Sequence, residues 1–130
     1  MRTVLLPILL AAACLGASVV AARDRADRVP AVTPAGPPVS CIPLSGIRSS
    51  EVRDDRTIDF VMRGGRPPAY RVVLPQACPQ LGFERRFSYA TSLSQLCSTD
   101  IITVFSTAPI MRGASCGLAP FQPVTLPHRR

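Results

Sequence analysis

An all-β fold, small, single-domain and stapled by disulfides, is what the sequence predicts, and three observations predict it. Apolar and polar residues alternate at a period of two over short stretches, and no apolar stripe of useful length recurs at helical spacing. Gly, Pro and Asp clusters punctuate those stretches as turns do. Of the five cysteines, Cys14 sits in an apolar opening run, whereas Cys41, Cys78, Cys97 and Cys116 lie beyond it. Removal of that run leaves an even set of four, as in compartments where disulfides persist.

The opening run reads as a leader. Met1-Arg2 gives a positive start, Thr3 to Val20 is apolar or small, and small residues up to Ala22 offer A-x-A-type processing sites. Residues 1–22 are therefore expected to be a cleaved signal peptide. A membrane anchor competes, since about 18 residues is the lower limit for a span. Pro7, Gly16 and the alanines dilute the run, however, and Arg23-Asp24-Arg25 carries as much positive charge as the start. Lipidation of Cys14 is a second processing route: Leu10-Ala11-Ala12-Ala13-Cys14 is a degenerate lipoprotein box with its leucine one place too far away. The expected location is periplasmic or secreted, with lipid anchoring as the alternative. Only the uncleaved leader or an acylated Cys14 would then tie the chain to a membrane.

Residues 23–40 hold Pro30, Pro34, Pro37 and Pro38 and no apolar periodicity, which predicts a disordered, extended tether. A β domain is expected over 41–126, with 127–130 as a frayed tail. Within the domain, Gly46–Val52 predicts a first strand and Arg53-Asp54-Asp55-Arg56 a turn. Thr57–Arg63 alternates, with Ile58, Phe60 and Met62 inward and Thr57, Asp59 and Arg63 outward. Tyr70–Leu74 repeats the pattern, and Gly64-Gly65-Arg66-Pro67-Pro68 joins the two as a hairpin. An irregular or helical turn over Gln76–Leu81, a short strand over Phe87–Ala90 and a β-branched strand over Asp100–Phe105 follow. The proline-broken stretch around Pro120–Val124 is expected at a sheet edge. Together these give a twisted antiparallel sheet or a partly closed barrel. Four cysteines allow three pairings; the expected ones are Cys41–Cys116 and Cys78–Cys97.

Composition narrows the chemistry. The net charge is +7, with fifteen basic residues, all arginine. Such a balance favours anionic surfaces or an acidic protein partner, and an exported chain points to the envelope rather than to nucleic acid. The single histidine, His128, lies in the tail, so Ser-His-Asp and Cys-His sites are not expected. The cysteines lack C-x-x-C spacing and the short paired turns of zinc sites, so neither metal nor cofactor is expected. Asp54, Asp55 and Asp59 cluster, as acid–base pairs or calcium ligands do, although Arg53 and Arg56 flank them. Asp100 is expected to cap a neighbouring donor. Arg63, Arg66, Arg71, Arg85 and Arg86 are the candidate binding set, a basic face if the sheet curls them together.

Several motifs carry a likeness. They are Cys41-Ile42-Pro43, the Ile47 strand, the hairpin ending Tyr70-Arg71-Val72-Val73-Leu74, Cys78-Pro79-Gln80-Leu81, Leu96-Cys97-Ser98-Thr99-Asp100 and Cys116-Gly117-Leu118-Ala119-Pro120-Phe121. From about Cys41 to Val124 the chain resembles a family of small exported proteins of Gram-negative bacteria, some lipidated, whose function is unassigned. The resemblance implies that the four cysteines and Asp100 belong to the framework, and it implies no activity. Two readings follow: a non-enzymatic envelope protein with a basic arginine face, and a small hydrolase using Asp54, Asp55 or Asp59.

Overall fold

The structure is a computed structural model and describes residues 29–91 and 93–127. The expected leader with Cys14, residues 23–28 of the tether, and the tail from His128 lie outside the described residues. The strands are β1 (Thr33–Pro34), β2 (Cys41–Pro43), β3 (Ile47–Val52), β4 (Thr57–Met62) and β5 (Ala69–Val73). They continue with β6 (Phe87–Tyr89), β7 (Gln95–Cys97), β8 (Ile101–Thr107), β9 (Ile110–Gly117) and β10 (Gln122–Thr125). A single helical turn, α1 (Leu81–Glu84), precedes β6. Three antiparallel sheets result: β1-β10-β5-β4-β3, β2-β7 and β6-β8-β9. The all-β class is as expected, but the sheets stay open and do not close into a barrel.

The β4–β5 hairpin follows the alternation. Ile58 faces Val72 and Phe60 faces Tyr70 across the ladder, because a slip by one residue would turn the apolar set outward. Gly64 and Gly65 close its tip at φ of 60° and 83°, where a Cβ would add about 1–2 kcal/mol. The inward face joins Ile42, Leu81, Leu96, Ile102, Val104 and Leu118 in one buried core. Phe60 links the layers: its ring meets Phe121 at 5.7 Å and Phe87 of β6 at 6.3 Å, both edge-on.

Disulfide pairing departs from expectation. Cys41 of β2 lies directly opposite Cys97 of β7 and is bonded to it, and Cys78 is bonded to Cys116. This corrects Cys41–Cys116 and Cys78–Cys97. The reason is the β2–β7 ribbon, three residues a side and too short to show periodicity, whose register brings Cys41 and Cys97 to a Cα separation of 4.0 Å. Cys78 is placed elsewhere, its N–H donating to the Asp55 carbonyl at 2.7 Å, and it reaches Cys116 on the β9 position opposite Ile102.

Part of the expected tether is also paired. β1 joins β10, the Ala35 N–H donates to the Pro123 carbonyl at 2.8 Å, and Val39 exchanges two backbone bonds with Phe121. The ordered frame thus begins ahead of Cys41, as a strap along β10. That strand, expected at an edge, is flanked on both sides. The N–H and C=O of one strand residue point the same way. Pro123 therefore directs its missing donor at the strap and offers only a carbonyl, in keeping with so short a β1. β9 was not expected at its full length, since Gly113 and Gly117 dilute its strand character.

The bridges close 56 and 38 residues of sequence, and chain-entropy arguments assign about 4 kcal/mol to each. Peptide mapping of unreduced protein is expected to yield Cys41 linked to Cys97 and Cys78 linked to Cys116. Recovery of a Cys41–Cys116 or Cys78–Cys97 peptide would contradict this topology.

Candidate functional site

The outward face of β4 is where sequence and structure differ most. Thr57 and Asp59 were expected in solvent, yet Thr57 is buried and Asp59 has 0% exposure. Asp59 faces Glu51 of β3 on one side and Arg71 of β5 on the other. Arg71 grips it in a fork, Nε to Oδ1 at 2.7 Å and Nη2 to Oδ2 at 2.9 Å. Arg53 adds Nε to Oδ2 at 2.8 Å, while its Nη2 pairs with Glu51 at 2.7 Å. Two guanidiniums thus enclose one sealed carboxylate, because a lone buried ion would cost several kcal/mol. The third donor of Arg71, Nη1, reaches the Pro30 carbonyl at 2.8 Å, so the strap crosses this face and is held there.

Arg71 therefore does not belong to the expected basic face; its charge is spent internally on Asp59. Arg63 is tied at its Nε to the Ile47 carbonyl, 3.2 Å away. Arg63 and Arg66 follow Met62 at one end of β4. Arg85 and Arg86 follow α1, whose Gly82 N–H donates to Asp55 Oδ1 at 2.7 Å beyond the other end. Six strand residues, about 20 Å, separate the two groups, so the expected set does not gather into one patch.

The acidic cluster is divided among structural tasks. Asp54 Oδ1 accepts the N–H groups of Arg56 and Thr57 at 2.8 and 2.7 Å, closing the β3–β4 turn. Asp55 anchors α1 as described. A Cβ at Gly82 would lie 3.0 Å from the Asp55 backbone nitrogen, so any larger residue would push this contact apart by a few tenths of an ångström. Asp100, as expected, accepts from the Cys97 N–H at 2.7 Å. With Asp59 sealed and Asp54 and Asp55 turned onto backbone donors, the arrangement does not favour a shared acid–base pair. Among the described residues no group of three or more His, Cys, Asp or Glu side chains has the geometry to hold a metal.

An open recess of about 560 Å³ lies at the hairpin tip, lined by Ala35, Gly65, Arg66, Pro67, Pro68 and Thr125. It offers one guanidinium and one hydroxyl, and neither a nucleophile–base pair nor a carboxylate. A different basic group forms on the three-stranded sheet. The Arg86 carbonyl accepts the Phe105 N–H at 3.3 Å, and Phe105 faces Arg112 across β9. Arg112 escaped the sequence reading because its neighbours Gly113 and Ala114 give no strand signal; its alternation becomes visible only through the register. Comparison of the chain with protein-family models, curated sequences and solved structures finds no match.

Truncation of Asp59 leaves two guanidiniums packed without their anion. Asp59→Ala is expected to lower the unfolding free energy in urea by about 3–5 kcal/mol, against less than about 0.5 kcal/mol for Glu84→Ala. A loss below about 1 kcal/mol for Asp59→Ala would show that the cluster is not structural.

Proposed function

We propose that the protein is an exported, non-enzymatic binding module, periplasmic or secreted, that holds to an anionic envelope surface through its outward arginines. The opening run is its leader, removed near Arg23, with acylation at Cys14 as the alternative route. Two disulfides formed from Cys41, Cys78, Cys97 and Cys116, the even set expected once the leader is removed, support this reading.

One observation carries the binding assignment: five of the six described carboxylates have a structural partner, Glu84 being the exception, whereas five exposed arginines have none. Asp54, Asp55 and Asp100 point at backbone donors, and Asp59 and Glu51 pair with Arg53 and Arg71. Arg56 is turned onto the Leu74 and Pro75 carbonyls. Arg48, Arg66, Arg85, Arg86 and Arg112 are exposed, with no side-chain bond or ion pair among the described residues. With only Glu84 left without a partner among the described carboxylates, the unpaired arginines outnumber the unpaired acids and present a positive field at short range. Arg86 and Arg112 flank Phe105 across β8, and Arg85 adjoins them beside Glu84.

Near an anionic surface each basic residue contributes about 1 kcal/mol. Replacement of Arg85, Arg86 and Arg112 together by Ala is thus expected to weaken retention on phosphatidylglycerol vesicles or immobilised lipopolysaccharide by roughly a hundredfold. Wild-type retention should also fall as salt rises. Salt-independent retention, or a triple variant that binds like wild type, would sink the proposal.

A further inference from the structure

The β8–β9 hairpin ends in the most exposed large hydrophobic residue among the described residues, Ile110 at 84%, with Met111 next along the chain at 59%. From Ile101 to Met111 no residue carries a charge. The tip is stiffened by the Ser106 hydroxyl, which donates to the Pro109 carbonyl at 2.8 Å. Behind it the ladder sets a fixed order: Thr107 faces Ile110, Ser106 faces Met111, and Phe105 faces Arg112, with Arg86 across the other side of Phe105.

We infer that this tip, Ala108-Pro109-Ile110-Met111, seats in the headgroup–acyl boundary of an anionic bilayer, with Arg112, Arg86 and Arg85 meeting the lipid phosphates behind it. The layering carries the assignment. Arg112 lies two strand residues behind Ile110, about 7 Å at the usual rise. That matches the 5–10 Å to which interfacial segments sink their apolar face. Arg86 and Arg112 stand two strands apart, about 10 Å, on either side of a half-buried Phe105. A convex apolar wedge backed by cations is complementary to a surface whose anions lie outside its hydrocarbon. It is not complementary to a flat acidic protein face, which would leave Ile110 against charge.

This inference rests on the arginine-mediated surface binding proposed above, and the test separates the two. The sequence contains no tryptophan, so Ile110→Trp is a sole reporter in purified, oxidised protein, with half-exposed Val73→Trp as its control. On phosphatidylglycerol-rich vesicles, Ile110→Trp should shift to the blue and be quenched by brominated acyl chains, while Val73→Trp should do neither. Ile110→Ser/Met111→Ser, at solvent-exposed positions and checked for native circular dichroism, should lower partitioning roughly tenfold or more. Salt-sensitive binding with no shift at position 110, and with an undiminished double variant, would overturn the inserted tip while leaving the arginine face standing. Binding to lipopolysaccharide but to no vesicle would do the same. Binding to neither would overturn both.

Discussion

A carboxylate sealed from water must bring its counter-charges with it, and Asp59 organises this protein by that requirement. Its two oxygens are met by Arg71 from β5 and Arg53 from the end of β3, so three strands share one electrostatic knot. The fork of Arg71 is what an arginine supplies and a lysine does not. Because its remaining donor holds the Pro30 carbonyl, the knot also fixes the strap that runs along β10. The outward face of the sheet is thereby covered over its middle, where Ala69 and Val124 are fully buried, while Val73 at its end stays half-exposed. Aromatic packing around Phe60 closes the other face.

This knot determines which charges the protein can show. Arg71 and Arg53 are withdrawn into the fold, while every described carboxylate except Glu84 is occupied in turns or in the knot. Positive charge then remains in excess on the α1–β6 connection and β9, where Arg85, Arg86 and Arg112 outnumber Glu84. The proposed envelope function follows from that distribution rather than from the total of +7. The proposed bilayer contact adds the observation that the register of β8 and β9 sets the apolar tip two residues ahead of Arg112, level with Arg86 across Phe105.

Much of the fold was legible because it is local. The β4–β5 hairpin, a strand over Asp100–Phe105 that the structure carries on to Thr107, and the turn at Asp54 declare themselves in alternation, β-branched content and turn chemistry. What was hidden is non-local. The β2–β7 ribbon is too short to carry a period, so the cysteine register that decides the disulfides left no trace in the residues around it. Asp59 reads as an outward polar residue because its pattern is that of a half-exposed strand; only the arrival of the strap and two arginines buries it. The candidate arginine set failed for the same reason. Neighbours in sequence pattern stand at opposite ends of β4, and Arg112, far along the chain, is aligned with Arg86 through β8.

Amide hydrogen exchange on an Arg71→Lys variant tests the central claim most directly, because lysine keeps the charge beside Asp59 and loses the fork. The strap amides of Ala35 and Val39, which donate to Pro123 and Phe121, are predicted to lose protection by roughly tenfold or more. The amides of Ile58 and Val72 in the sheet centre should change far less. Strap amides as slow as in wild type would show that the Asp59–Arg71 fork does not hold this face together.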